Sequence, residues 1–205
     1  LGDENNAGYL LHVTAPDGGI SLDSGDLCNI DPWVNTGINY FDTPNCTTNL
    51  RLTDNDSGKF TYITPRYAGF QAGVSYIPIL TQGGGDNNSA LTRAGTGDNG
   101  RASGQHDGVA VGLNYTETFD GFGVQASGGW LRAESFSGGA NLNTSTLVAY
   151  NLGAQFSYAG FSVGGAYVNV PQGQRTATTR FNGDSWTVGA NYTFGPYILG
   201  ITYMT

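Results

Sequence analysis

The sequence predicts an all-β fold, a transmembrane antiparallel β-barrel, on three observations. Strands of bilayer-crossing length come in pairs joined by tight turns; the connections between pairs are long and polar; and each strand alternates an apolar face with a face of small and polar residues. The 205 residues include 33 glycines and only 12% charged side chains, against about a quarter in an average soluble domain. No run approaches the ~18 apolar residues that a membrane-spanning helix needs, which excludes a helical membrane protein. A barrel stays open, because its alternating strands average to near-neutral hydropathy.

Residues 1–57 are irregular, since Pro16, Asp17-Gly18-Gly19, Ser24-Gly25, Asp31-Pro32 and Thr43-Pro44 break any period. A structureless stretch of that length inside a compact domain is expected only where it has a function. It holds nine of the 16 acidic residues (Asp3, Glu4, Asp17, Asp23, Asp26, Asp31, Asp42, Asp54 and Asp56) and one base, Arg51, so it carries the whole net charge of −8. Trp33, Tyr40 and Phe41 inside it argue against a solvated acidic tail. Cys28 and Cys46, with 17 residues between them, have no third thiol or adjacent His to make a metal site. A disulfide is the expected state; it would remove about 3 kcal/mol of loop-closure entropy from the unfolded chain and implies an oxidising compartment.

The first hairpin runs from Lys59 to Pro78, KFTYITPRYAGFQAGVSYIP, and turns at Arg66-Tyr67-Ala68-Gly69. Phe70, Ala72, Val74 and Tyr76 share one face; Gln71, Gly73 and Ser75 share the other. Three more pairs follow: Val109 to Glu117 with Phe122 to Arg132, Val148 to Tyr158 with Phe161 to Asn169, and Trp186 to Phe194 with Tyr197 to Tyr203. Their turns are Thr118-Phe119-Asp120-Gly121, Ala159-Gly160 and Gly195-Pro196, while the loops between pairs cover 79–106, 133–147 and 170–185. Alternate connections of an antiparallel sheet lie at the same end, so the short turns sort to one end and the long loops to the other. A soluble sandwich has no reason to sort them; an outer-membrane barrel does.

Aromatic residues fall in two bands. Tyr115, Phe119, Phe122, Phe156, Tyr158, Phe161, Tyr192, Phe194 and Tyr197 lie near the short turns, and Tyr76, Trp130, Tyr150, Tyr167, Trp186 and Tyr203 near the loops. Two such bands separated by Val, Leu, Ala and Ile are what the two interfaces of a bilayer select. On the opposite face, Gln71, Ser75, Asn114, Gln125, Asn151, Gln155 and Asn191 are the expected pore-lining residues. Glycines recur among them and leave space, so a wet lumen is expected.

Chemistry-bearing motifs are weak. Gly121-Phe122-Gly123-Val124-Gln125-Ala126 has a dinucleotide-binding spacing but lies in an alternating strand with no helix after it. His12 and His106 are near no Ser or Cys elbow, so no hydrolytic triad is supported; the chain reads as neither an enzyme nor a nucleic-acid binder, and no cofactor is expected. Asp86, Asp98 and Asp107 share one loop and offer oxygen ligands for a structural Ca²⁺, but solvated loop charge is the plainer reading.

The stretch TYITPRYAGFQAGVSYIP, following DNDSGK, resembles the recurring hairpin of the general-diffusion porins of Gram-negative outer membranes, of the alphaproteobacterial type. GVAVGLNYTETFDGFGVQASGGW, NLGAQFSYAGFSVGGAYV and TVGANYTFGPYILGITY look like later porin strands. The resemblance implies a 16-stranded barrel in outer-membrane lipid, usually a homotrimer, passing small hydrophilic solutes and ions through a pore narrowed by an inward-folding third loop. On that pattern residues 1–57 are the end of a strand plus the constriction loop, and residues 58–205 are barrel strands of the same domain, about the sixth to the thirteenth. The chain then reads as an interior piece. Asp23, Asp26 and Asp31, bracketing Cys28, become the carboxylates nearest the pore axis, with Lys59 and Arg66 as bases on the facing wall. A disulfide inside this loop departs from the family's pattern. The other reading, a soluble β-rich carbohydrate-binding or adhesin module, explains neither the sorted loops nor the twin aromatic bands.

Overall fold

A computed structural model describes residues 5–19, 47–50, 57–80, 105–135, 146–172 and 183–204. Asp23, Asp26, Asp31, Cys28, Cys46, Asp86 and Asp98 lie outside the described residues. Eight strands, β1 (Phe60–Ile63), β2 (Phe70–Leu80), β3 (Gln105–Phe119), β4 (Phe122–Ser135), β5 (Leu147–Tyr158), β6 (Phe161–Gln172), β7 (Gly183–Phe194) and β8 (Tyr197–Met204), make one antiparallel sheet in sequence order. This is the all-β meander that the alternating pattern predicts, and the sheet is open between β1 and β8. β3 and β4 outrun their predicted bounds, with Gln105 facing Ser135 and His106 facing Glu134. Backbone pairing needs no apolar side chain, so the ladder continues where the hydrophobic period has already stopped.

Each short connection is a two-residue turn closed by an aromatic pair: Tyr67 with Phe70, Phe119 with Phe122, Tyr158 with Phe161, and Phe194 with Tyr197. In three of them both central residues have positive φ: Ala68 and Gly69 (47° and 81°), Asp120 and Gly121 (48° and 83°), Ala159 and Gly160 (49° and 86°). These are type I′ turns, whose twist matches that of the strands they join. Gly195 (φ 54°) before Pro196 fits type II′, with glycine first. Alanine in the left-handed region costs about 1–2 kcal/mol. Ala159→Gly should therefore raise stability by about 0.5–1 kcal/mol once the added freedom of the unfolded chain is subtracted. The denaturant midpoint of refolding into detergent micelles checks this, and a midpoint unmoved or lowered would mean that the turn carries no such strain.

The outward face bears the apolar residues of the alternation. Val111, Leu113, Val163 and Val188 are exposed there, with rings above and below. Phe70 meets Tyr115 (centroids 4.6 Å apart) and Phe161 stacks on Tyr192 (4.2 Å) at the turn end; Trp186 meets Tyr203 (5.4 Å) and Tyr150 meets Tyr167 (6.4 Å) at the loop end.

The inward face departs from the uniformly wet wall that the sequence suggests. Its turn-end half is polar, but its loop-end half is a dry core of Ile77, Leu80, Ala110, Leu131, Ala133, Leu147, Ala149, Val168 and Val170, packed with Leu50 from the 47–50 segment. At this end the strands are apolar on both faces, as where Leu131 follows Trp130, so the period of two loses its contrast. A second departure is α1 (Ala7–Leu10), a single helical turn inside the stretch read as irregular, capped by Asn6, whose side-chain oxygen accepts from the Tyr9 N–H (3.1 Å). Four residues are too few to leave a helical period.

Candidate functional site

Residues 5–19 lie across the inner face of the sheet, from β2 to β8. They can do so because the wall beneath them is built of glycine. A Cβ on Gly112 would strike the Ala7 carbonyl, one on Gly153 the Val13 carbonyl, and one on Gly189 the Pro16 carbonyl. An added Cβ would also come within 3.0 Å of the Ala7 Cβ at Gly73, 3.2 Å of the Gly8 Cα at Gly129 and 3.3 Å of the Gly18 N at Gly200. Gly73, Gly112 and Gly129 are direct neighbours across β2, β3 and β4, and the track then steps obliquely to β5, β7 and β8. The glycines do leave space, as the sequence suggests. Backbone fills it, not water.

Side chains of the wall bond the backbone of this inner segment. The Ala7 N–H donates to Ser75 Oγ (2.9 Å), the Val13 N–H to Ser127 Oγ (2.8 Å), Asn114 Nδ2 to the Leu11 carbonyl (3.0 Å), and Thr202 Oγ1 to the Pro16 carbonyl (3.0 Å). An extended chain lying on a sheet face has no ladder of its own, so its polar groups need such partners. Asp17 then accepts from the Gly19 N–H (2.9 Å) in a turn where Gly18 and Gly19 both take positive φ.

The 47–50 segment is tied to the same place. Asn6 Nδ2 donates to the Leu50 carbonyl (2.8 Å), and Asn151 Nδ2 to the Thr48 carbonyl (3.3 Å) and to His12 Nδ1 (3.1 Å). With Nδ1 accepting, the proton of neutral His12 sits on Nε2, which donates to Thr48 Oγ1 (3.1 Å). One wall residue, Asn151, thus joins both segments that flank 20–46. Its own Oδ1 is buried without a partner among the described residues, and such an orphan costs about 1–3 kcal/mol.

The pore-lining expectations divide on this geometry. Gln71, Ser75, Asn114, Gln125, Asn151, Gln155 and Asn191 all belong to the inward alternation. Ser75 and Asn151 are buried beneath the inner segment (0% and 1% exposed) and Asn114 nearly so (9%), so these three hold that segment instead of facing open space. Gln71, Gln125, Gln155 and Asn191 remain partly exposed. Lys59 is buried, while Arg66 is exposed at the turn end, where its guanidinium bonds Gln71 Oε1 (2.9 Å) and Asn114 Oδ1 (2.7 Å). Asp107 sits beside Tyr76 and His106, whose side chains both bond its carboxylate. Among the described residues, no three His, Cys, Asp or Glu side chains gather where a metal could be held.

Asn6, His12, Thr48 and Ser127 were not among the expected site residues. Ser127 lies on the inward polar alternation with Gln125, and for Asn6, His12 and Thr48 the sequence signal was the recurring mid-strand glycine, which marks close backbone approach as well as open space.

The chain is similar to three rickettsial sequences described as uncharacterized proteins. It is 31% identical over 151 residues to one of Rickettsia conorii, 24% over 235 residues to one of Rickettsia bellii and 26% over 187 residues to one of Rickettsia prowazekii. These matches cover 55%, 89% and 69% of this chain, and the chain spans 34%, 53% and 41% of the respective relatives. The Gram-negative porin family matches residues 1–205, which include the sheet with its apolar, aromatic-banded outer face and the segment strapped to its inner one. The chain belongs to the Gram-negative porins, proteins of the outer membrane.

Proposed function

We propose that this chain supplies part of the wall and the narrowing of a water-filled channel, through which small hydrophilic solutes and ions diffuse passively across the outer membrane. The observation that carries this reading is the 5–19 segment bonded to the inner face of a sheet whose outer face is apolar. A chain folded against the wall narrows a lumen without closing it. The channel works as a homotrimer in outer-membrane lipid, performs no catalysis and needs no cofactor. Ca²⁺ bound through Asp86, Asp98 and Asp107 would be structural, and the engagement of Asp107 by Tyr76 and His106 favours a metal-free wall. An apolar face this extensive also speaks against a soluble sugar-binding or adhesin module. Conductance of the intact protein in planar bilayers tests the reading. Steps that scale with bulk salt conductivity support it; a protein that stays monomeric in detergent-free buffer and opens no channel would overturn it.

Residues 1–57 form the constriction loop in this reading, with Asp23, Asp26 and Asp31 towards the axis, restrained by a Cys28–Cys46 disulfide and facing Lys59 and Arg66. Nine acids against one base in that stretch make the loop side negative, which favours cations. Replacing Asp23, Asp26 and Asp31 together by Asn should lower the cation preference read from the reversal potential in a dilute salt gradient. The difference should fade near ~1 M salt, where screening acts within ~3 Å. Reducing the disulfide should reproduce part of the change, and an unmoved potential under both treatments would place these groups away from the pore.

A further inference from the structure

Arg66 reaches the inner face only because the chain bulges before it. Between the pairs Ile63–Gly73 and Tyr67–Phe70, three residues, Thr64, Pro65 and Arg66, stand opposite two, Gln71 and Ala72. Pro65 has no N–H to give a regular ladder. One extra residue inverts the alternation, and so turns Arg66 from the lipid side to the lumen side.

Its guanidinium is then held by neutral oxygens: Nη1 donates to the Gly69 carbonyl (2.7 Å), and Nη2 to Gln71 Oε1 (2.9 Å) and Asn114 Oδ1 (2.7 Å). Gln71 and Asn114 face each other across β2 and β3, so the fork bridges two strands. Thr116 Oγ1 donates to the same Asn114 oxygen (3.1 Å). Two donors on that oxygen decide which way the carboxamide faces. Its other end, Nδ2, is thereby aimed at the Leu11 carbonyl of the inner segment.

We propose that Arg66 is a positioning residue: from the short-turn end of the barrel it locks Asn114 in the one orientation that binds Leu11, and so fixes how far the inner segment stands from the wall. That this distance sets the clearance of a pore rests on the channel reading. The role asks more than positive charge, because only a planar fork can span Gly69, Gln71 and Asn114 together. Lysine keeps the charge and loses the fork.

Arg66→Lys, Asn114→Ala and the double variant separate the possibilities in two measurements on the intact protein. Hydrogen exchange of residues 5–19 in detergent micelles comes first. Each single variant should speed exchange of the amides around Leu11 and Val13 by about tenfold, the loss of the one Asn114–Leu11 hydrogen bond. The double variant should exchange no faster than Asn114→Ala alone, since Arg66 acts through Asn114. Wild-type exchange in Arg66→Lys, or additive effects in the double variant, would overturn the proposal. In planar bilayers Arg66→Lys should keep the wild-type reversal potential yet lose the single well-defined conductance level. If it keeps both while Arg66→Gln shifts the potential, Arg66 is a pore charge only and the positioning role fails. Faster exchange in a protein that conducts nothing would support the positioning role and reject the channel reading.

Discussion

Arginine at Val111 or Val188 should cost about 2–4 kcal/mol of stability, whereas arginine at Gln125 or Gln155 should be tolerated. Val111 and Val188 stand exposed on the outward face, between the aromatic band of the turn end and that of the loop end. A guanidinium there would sit in hydrocarbon. Gln125 and Gln155 face each other across β4 and β5 on the polar, turn-end half of the inner face. They lie beyond the dry cluster around Ile77 and Leu131. An added charge at either can stay hydrated. Reversible unfolding in urea from lipid vesicles measures the difference. Equal losses at the two pairs of sites would mean that the faces are wrongly assigned.

Valine at Gly153 should displace the inner segment. A Cβ there would occupy the position of the Val13 carbonyl, and a backbone atom cannot swing aside as a side-chain tip can. Moving it breaks the Val13 bond to Ser127 and disturbs the neighbouring His12 contact with Asn151. Overpacking alone costs about 1–3 kcal/mol, and the lost bonds add to it. The sheet has its own ladder and should survive, so the expected outcome is a folded barrel wall whose 5–19 segment becomes accessible to protease. Gly128→Ala is the matched control, one position from the track on the outward face, where the nearest side chain lies at ordinary contact distance (3.4 Å). It should change stability by under about 0.5 kcal/mol. Similar protease sensitivity in both variants would refute the glycine track.

The parts of this architecture that were legible in the sequence are those with short-range causes. Alternation along β2, β5 and β7 depends only on the two-residue period of a strand, and the turn at Asp120-Gly121 on the tolerance of Asp and Gly for positive φ. The aromatic bands follow from each ring's distance along its own strand. For the same reason the strand ends were less legible, because Gln105, His106 and Gly108 pair without a hydrophobic period of their own.

What occupies the inner face was decided only by the tertiary structure. Ser127 holds Val13 across 114 positions of sequence and Thr202 holds Pro16 across 186, and each contact ends on a backbone atom that any residue would supply. No pattern of side chains announces such a partner. Gly112, Gly153 and Gly189 therefore signal a close approach, and the fold alone decides that it is made by residues 7–16. Arg66 follows the same logic: its charge and its place beside a proline are in the sequence, but the one-residue bulge that turns it inward exists only once β1 and β2 have paired on both sides of it.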